Sequence, residues 1–221
     1  MIHGGIWGVL HIVLFIVWLA MGLATFVVTH AIKNKELSVP TRSKRARMSR
    51  YLQIPPRACF AIMLAIGIEL TRIANIYPLD PEMHIGIWVA TVCWLAALAL
   101  RLCYETGTLE KQLGYVEIAL AALGGMGFVV YGLNSLATGA PIDDSWFAAK
   151  LLLVGAALWT LIAIDLNFRA ISWPLEEIEL DGSNPENEEG LARGVNHTLT
   201  SMVILYVMVI AAAFVGGGMA R

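Results

Sequence analysis

Charge is what this chain lacks most. Asp, Glu, Lys and Arg make up 14% of the residues, against 58% hydrophobic, and the mean hydropathy is +0.70. A soluble domain carries about 25% charged residues, so these figures exclude an ordinary water-soluble fold and indicate a polytopic membrane protein. Cysteine is scarce as well. Cys59, Cys93 and Cys103 lie in or beside apolar segments with no CxxC spacing, which argues against a disulfide framework or a thiolate metal cluster. The N-terminal MIHGGIW has no basic region, and the apolar run after it is too long for the core of a cleaved signal, so no signal peptide is expected. Neither end carries a lipidation motif. The nine methionines are scattered, with no MxxM ladder of the kind that takes copper. No repeat or low-complexity tract is present, and no nucleic-acid partner is expected.

What the chain has is apolar length. Six runs stand out, at about residues 6–30, 52–72, 85–102, 116–136, 146–168 and 196–217. An ~30 Å hydrocarbon layer takes roughly 20 apolar residues in a helix. The runs therefore predict an all-α bundle of six transmembrane helices, a single integral membrane domain over 1–221 with the lipid bilayer as its solvent. Between the first two runs, Lys33, Lys35, Arg42, Lys44, Arg45, Arg47 and Arg50 face only Glu36. A basic loop of this kind, 33–50, belongs on the cytoplasmic side. Both termini then lie outside, in a bacterial-type inner (plasma) membrane. Of the fifteen Lys and Arg, twelve fall on the inner side in this arrangement. The link 169–194 is acidic, and its stretch SNPENEEG at 183–190 reads as a flexible surface loop.

A polar side chain inside a membrane segment is costly unless it has a partner or a task. Orientation gives each one a depth: His3, His11 and His84 are outer, His30 and His197 inner. Ligands of one haem or metal must share a depth, so His11 can join His84 or His3 but not His197. His11 shares a helix face with Gly4, Trp18 and Thr25 at seven-residue spacing. With Gly8 and Gly22 nearby, that face has room for a partner helix or a flat ligand; a hydrogen-bonded packing role fits it as well. Glu69 and Arg72, three apart, can pair on one face. Lys150 lies at similar outer depth, so Glu69, Arg72, Lys150 and His11 can form one outer polar cluster. Lys150 can serve a carboxylate or propionate, or snorkel to the surface. On the inner side Arg57, Arg101, Glu105, Glu117, Asp165, Asn167, Asn196 and His197 read first as ion pairs and packing groups, Arg101 and Glu105 standing at i, i+4. Trp7, Trp88, Trp146 and Trp173 fall at interfaces as an aromatic belt would, and Trp18, Trp94 and Trp159 are central.

These residues also carry a resemblance. His11, Trp18 and His30, a His-x6-Trp run followed by a histidine at the inner end, resemble the first helix of the small membrane protoporphyrinogen oxidases of HemJ type. MSRYLQIPPRACFAIMLAIGIEL at 48–70, AKLLLVGAALW at 149–159 and ARGVNHTLTSMVILYV at 192–207 look like later segments of that family, in order. The lysine helix, ending in Asn167 and Arg169, is similar to the CopD-type copper-resistance domain as well, so the likeness is to one HemJ/CopD-like superfamily. Three features depart from the pattern: ATFVV stands at 24–28 for an aromatic-Leu-Pro-Arg run, Leu161 for a later histidine, and the third and fourth runs form an inserted hairpin. The resemblance implies a haem b held by His11 with Lys150 needed near it. On this reading Trp18 borders the cofactor, His84 is the candidate second ligand, and Lys150 and Arg72 meet the propionates as the residues an oxidoreductase would depend on. Such a protein acts on a porphyrin or exchanges electrons with quinone. The CopD likeness implies instead copper transport or handling, with His3, His11, Met83 and His84 as outer ligands. A non-catalytic subunit of a membrane complex, or a homo-oligomer with glycine-rich faces as interfaces, is the third expectation.

Overall fold

The computed structural model describes residues 2–77, 80–104 and 107–217, with side chains described within 5–215. The fold is all-α. Its helices are α1 (Ile2–His30), a 3-10 turn (Ala31–Lys33), α2 (Val39–Leu52), α3 (Ile54–Ile73), α4 (Pro81–Cys103), α5 (Thr108–Thr138), α6 (Ser145–Asp181) and α7 (Pro185–Gly217). Six helical stretches are long and apolar enough to cross a membrane, α2 and α3 counting together as one. The expected six-crossing, all-α architecture is therefore present. Two compact units divide it: Met1–Gly22 with Leu52–Leu120, and Leu23–Tyr51 with Ala121–Arg221.

The first unit holds most of α1, α3, α4 and the start of α5. Its interior is aromatic. Trp18 lies against Phe15 at 5.9 Å between ring centroids and against Phe60 at 6.4 Å. Phe60, Met63, Ile66 and Glu69, three apart along α3, are all buried. Two prolines at the start of α3, Pro55 and Pro56, stand where a helix has no internal acceptor for an N–H and loses nothing by them. Asp80 caps α4, its carboxylate accepting from the Glu82 N–H at 3.4 Å, with Pro81 as the first helical residue.

The second unit holds the end of α1, the 3-10 turn, α2, the rest of α5, α6 and α7. Helices α5 and α6 meet at glycines. A Cβ on Gly132 would stand 2.8 Å from the Ala148 carbonyl oxygen, and one on Gly194 of α7 would stand 2.9 Å from that of Ala170 on α6. Helices without a hydrophobic driving force between them associate where small residues let backbones approach. Helix α6 runs through Pro174, with Gly190 of α7 across from its ring.

Two of the links between apolar runs differ from expectation. Residues 183–190 are not a loop but the cap and first turns of α7. Asn187 N–H donates to Asn184 Oδ1 at 2.9 Å and Asn184 N–H to Asn187 Oδ1 at 3.0 Å. This is a reciprocal capping box, followed by Pro185 at the first turn with Glu186 and Glu188 at the positive end of the helix dipole. Loop-like composition here encodes a helix start. Likewise the basic loop contains α2, whose Arg42 is buried and forks onto Glu188 at 2.7 and 2.9 Å while its Nε donates to the Ile32 carbonyl. Glu188 lies in the polar first turns of α7, before its apolar stretch. The Arg42 hydrogen bond holds its carboxyl below the ordinary value of 4.5, with burial opposing. A depressed carboxylate stabilises the fold above the unfolded value and loses that stabilisation as pH falls through the folded value. Acidification from pH 5 toward 3 is therefore expected to lower the melting temperature of the wild type more than that of Glu188→Gln, a comparison thermal denaturation in detergent can make directly. Equal acid sensitivity of the two proteins would count against the pair as the acid-labile clamp.

Candidate functional site

Charges in the first unit gather at the two ends of α3. Arg57 and Glu69 are twelve residues apart, about 18 Å along the helix. At the Arg57 end, Glu117 of α5 accepts from two arginines, Arg101 of α4 at 2.6 Å and Arg57 at 3.2 Å. Arg57 also donates to Gln53 at 2.9 Å, and Arg101 reaches Glu110 at 3.5 Å. Two cations and two anions balance, and the group ties α3, α4 and α5 together. Sequence spacing had put Arg101 with Glu105. Glu105 lies outside the described residues, and the partners seen are Glu117 and Glu110, in the third and first turns of α5.

At the other end Glu69, 6% exposed, is shared by Arg72 and His84. The Arg72 guanidinium pairs with it along α3, as the i, i+3 spacing predicts. His84 comes across from the first turn of α4, its Nε2 2.6 Å from Glu69 Oε2. An ionised carboxylate only accepts, so Nε2 donates, and the neutral ring carries its lone pair on Nδ1. This is a carboxylate-oriented histidine beside a half-exposed guanidinium. It can exchange a proton or offer one nitrogen to a ligand.

His11 is on a different side of α3. Its ring faces Gly67: a Cβ there would lie 3.3 Å from His11 Cε1 and 3.9 Å from Nδ1. Gly67 and Glu69 are two residues apart, hence about 200° apart around the helix. The two outer histidines thus address opposite faces of α3, and Nε2 of His84, the nitrogen that reaches farthest from the backbone, is taken by Glu69. Gly67 lets the imidazole edge pack close against α3, and an imidazole in an apolar helix is the residue type that holds a haem iron, so His11 fits a haem ligand. His84 does not fit the second axial position in this arrangement. Trp18 is 2% exposed and lies against Phe15 and Phe60.

No family model, no curated protein and no solved structure matches the chain. Function therefore has to be argued from the residues. Among the described residues no three His, Cys, Asp or Glu side chains come together to hold a metal ion. The side chain of His3, expected as a third outer ligand, lies outside the described residues. Lys150 belongs to the second unit, half-buried in α6 beside the buried Phe147, Ala148 and Leu151, and has no ion pair among the described residues. Of the expected outer cluster of Glu69, Arg72, Lys150 and His11, Glu69 and Arg72 are paired, and His84 joins them in the first unit. What sequence reasoning missed is Gly67 beneath His11, Glu110 beside Arg101, and the Arg42–Glu188 pair. Only the last left a signal, opposite charges in two segments both read as loops.

Proposed function

We propose that this protein is a haem-binding redox protein of the membrane, of the HemJ/CopD-like kind, with the basic stretch 33–50 on the cytoplasmic side. The observation that carries the reading is the His11–Gly67 pair, an imidazole within an apolar crossing set against bare backbone. Supporting it, the four stretches that carry the resemblance fall on α1, α3, α6 and α7, in the family's order. A histidine at this position costs free energy in hydrocarbon and persists for a reason.

His11 would hold the haem iron. A haem b there would supply one-electron chemistry in the N-terminal half of α1. The chain's own contributions are separate from that. Glu69 fixes the ring and tautomer of His84, and the pair holds a proton at His84 Nε2 near the outer end of α3. Arg72, half-exposed on the same carboxylate, has N–H groups left over for an anionic group. The core around Trp18, Phe60 and Trp94 excludes water from the first unit.

The test is an absorbance spectrum of purified protein, oxidised and dithionite-reduced. Wild type is expected to show a Soret band, and His11→Ala to lose it, while His84→Ala keeps it. A purified wild type with no haem sinks the proposal. Loss of the band in both variants would restore His84 as a ligand.

A further inference from the structure

We infer that α2 presents a binding surface for anionic phospholipid headgroups in the leaflet it emerges from. The argument rests on levels within the second unit. Three apolar stretches end together there. Thr29, at the end of α1, shares a hydrogen bond with Ser49 of α2 at 2.5 Å. Lys33 Nζ donates to Asn196, where the apolar part of α7 begins, at 2.7 Å. Arg50 of α2 lies over the ring of Phe168, where the apolar part of α6 ends, at 5.8 Å. Residues Thr29, Ser49, Arg50, Phe168 and Asn196 therefore mark one level, the hydrocarbon boundary.

Below that level α2 runs alongside the polar turns of α7. The Arg42–Glu188 pair confirms the direction: Arg42 is seven residues back from Ser49 and Glu188 eight back from Asn196, about 11 and 12 Å at 1.5 Å per residue. Arg47, Arg45 and Lys44 then stand about 4, 7 and 9 Å from the level of Arg50. Screening lengths at physiological salt are about 8 Å, so Arg47 and Arg45 lie within reach of a headgroup layer and Lys44 at its edge. Arg47 and Lys44 are exposed and Arg45 half-buried, and none has an ion pair among the described residues. The other basic residues of this region are committed. Arg42 is buried on Glu188, Lys33 holds Asn196, Arg50 covers Phe168, and Lys35 faces Glu188.

The acidic side chains of the same projection sit farther away. Glu176, Glu179 and Asp181 are 8 to 13 residues beyond Phe168, about 12 to 20 Å, and Glu186 about 15 Å beyond Asn196. The open cations of α2 thus stand nearer the boundary than these acids of the α6–α7 projection. A headgroup phosphate on this face of α2 meets three open cations. An acidic peptide in water would meet those acids as well, which favours lipid as the occupant.

The test uses the full chain in phosphatidylcholine bilayers with trace spin-labelled phosphatidylglycerol or phosphatidylcholine. The motionally restricted fraction gives the relative association of each lipid. Wild type is expected to prefer phosphatidylglycerol several-fold, with about fivefold per cation as the ceiling at low salt. The preference is expected to approach equality in 1 M salt and in Lys44→Gln/Arg45→Gln/Arg47→Gln. If that triple variant fails to fold, Lys44→Gln/Arg47→Gln, changed only at exposed positions, is expected to lose most of the preference. Glu176→Gln/Glu179→Gln is expected to leave it unchanged. Equal association of both lipids with wild type, or an undiminished preference in a folded variant, overturns the inference.

Discussion

Glu117→Ala is expected to destabilise the protein by roughly 3–5 kcal/mol, because it strips the shared anion from a buried cluster. Glu117 is 2% exposed and accepts from Arg57 and Arg101. Without it Arg57, itself 6% exposed, keeps only its neutral or unequal partners in a low-dielectric interior, where an uncompensated cation is costly. The partners are not equivalent. Arg101→Ala leaves Glu117 with Arg57, and leaves Glu110, the more exposed acid of the pair, able to reach solvent, so its loss is expected to be the smaller. Glu117→Gln keeps the shape and one acceptor oxygen and should fall between. Unfolding of the three variants by SDS titration from mixed micelles ranks them. A Glu117→Ala protein within about 1 kcal/mol of wild type would mean that water reaches the cluster and that the pairs are worth no more than surface ones.

Gly155→Leu is expected to force α5 and α6 apart, at a cost of about 1–3 kcal/mol or more from overpacking. Even a Cβ at Gly155 would lie 2.7 Å from Val129 Cγ2, 2.8 Å from the Gly125 carbonyl oxygen and 3.2 Å from the Val129 nitrogen. The valine methyl can rotate away, whereas the two backbone atoms move only with their helix. Gly155→Ala should already be destabilising for that reason. Gly127 is the control on the same pair of helices: nothing lies within 4 Å of a Cβ there, so Gly127→Ala is expected to be close to neutral. The same titration compares them. A Gly155→Leu protein as stable as Gly127→Ala would show that the glycine contact between α5 and α6 is dispensable.

Depth was readable along the chain, rotation was not. The alternation of apolar runs and a basic loop put Glu69, Arg72 and His84 at one end of the crossings, and the i, i+3 spacing paired the first two. Helix periodicity puts His11 on a face with Trp18, yet it says nothing of which residue stands opposite. That residue is Gly67, and it turns His11 away from the face of α3 that holds His84. The candidate axial pair separates on this point alone. The start of α7 differs from expectation for a different reason. Asn, Pro and Gly count as loop signals in composition, but in 183–190 they form a cap and a first helical turn, and only the reciprocal Asn184–Asn187 hydrogen bonds distinguish the two.

The sequence by itself determined that the chain is all-α, with six stretches long and apolar enough to cross a membrane, and which polar residues share an end of those stretches. Those follow from hydrocarbon thickness and from the cost of burying charge, both of which act on the chain locally. Tertiary structure alone decided the partners: Gly67 for His11, Glu110 and Glu117 for Arg101, Glu188 for Arg42 across 146 positions of sequence. Partner choice depends on how each helix is rotated against its neighbours, and close packing sets that rotation through contacts remote in sequence.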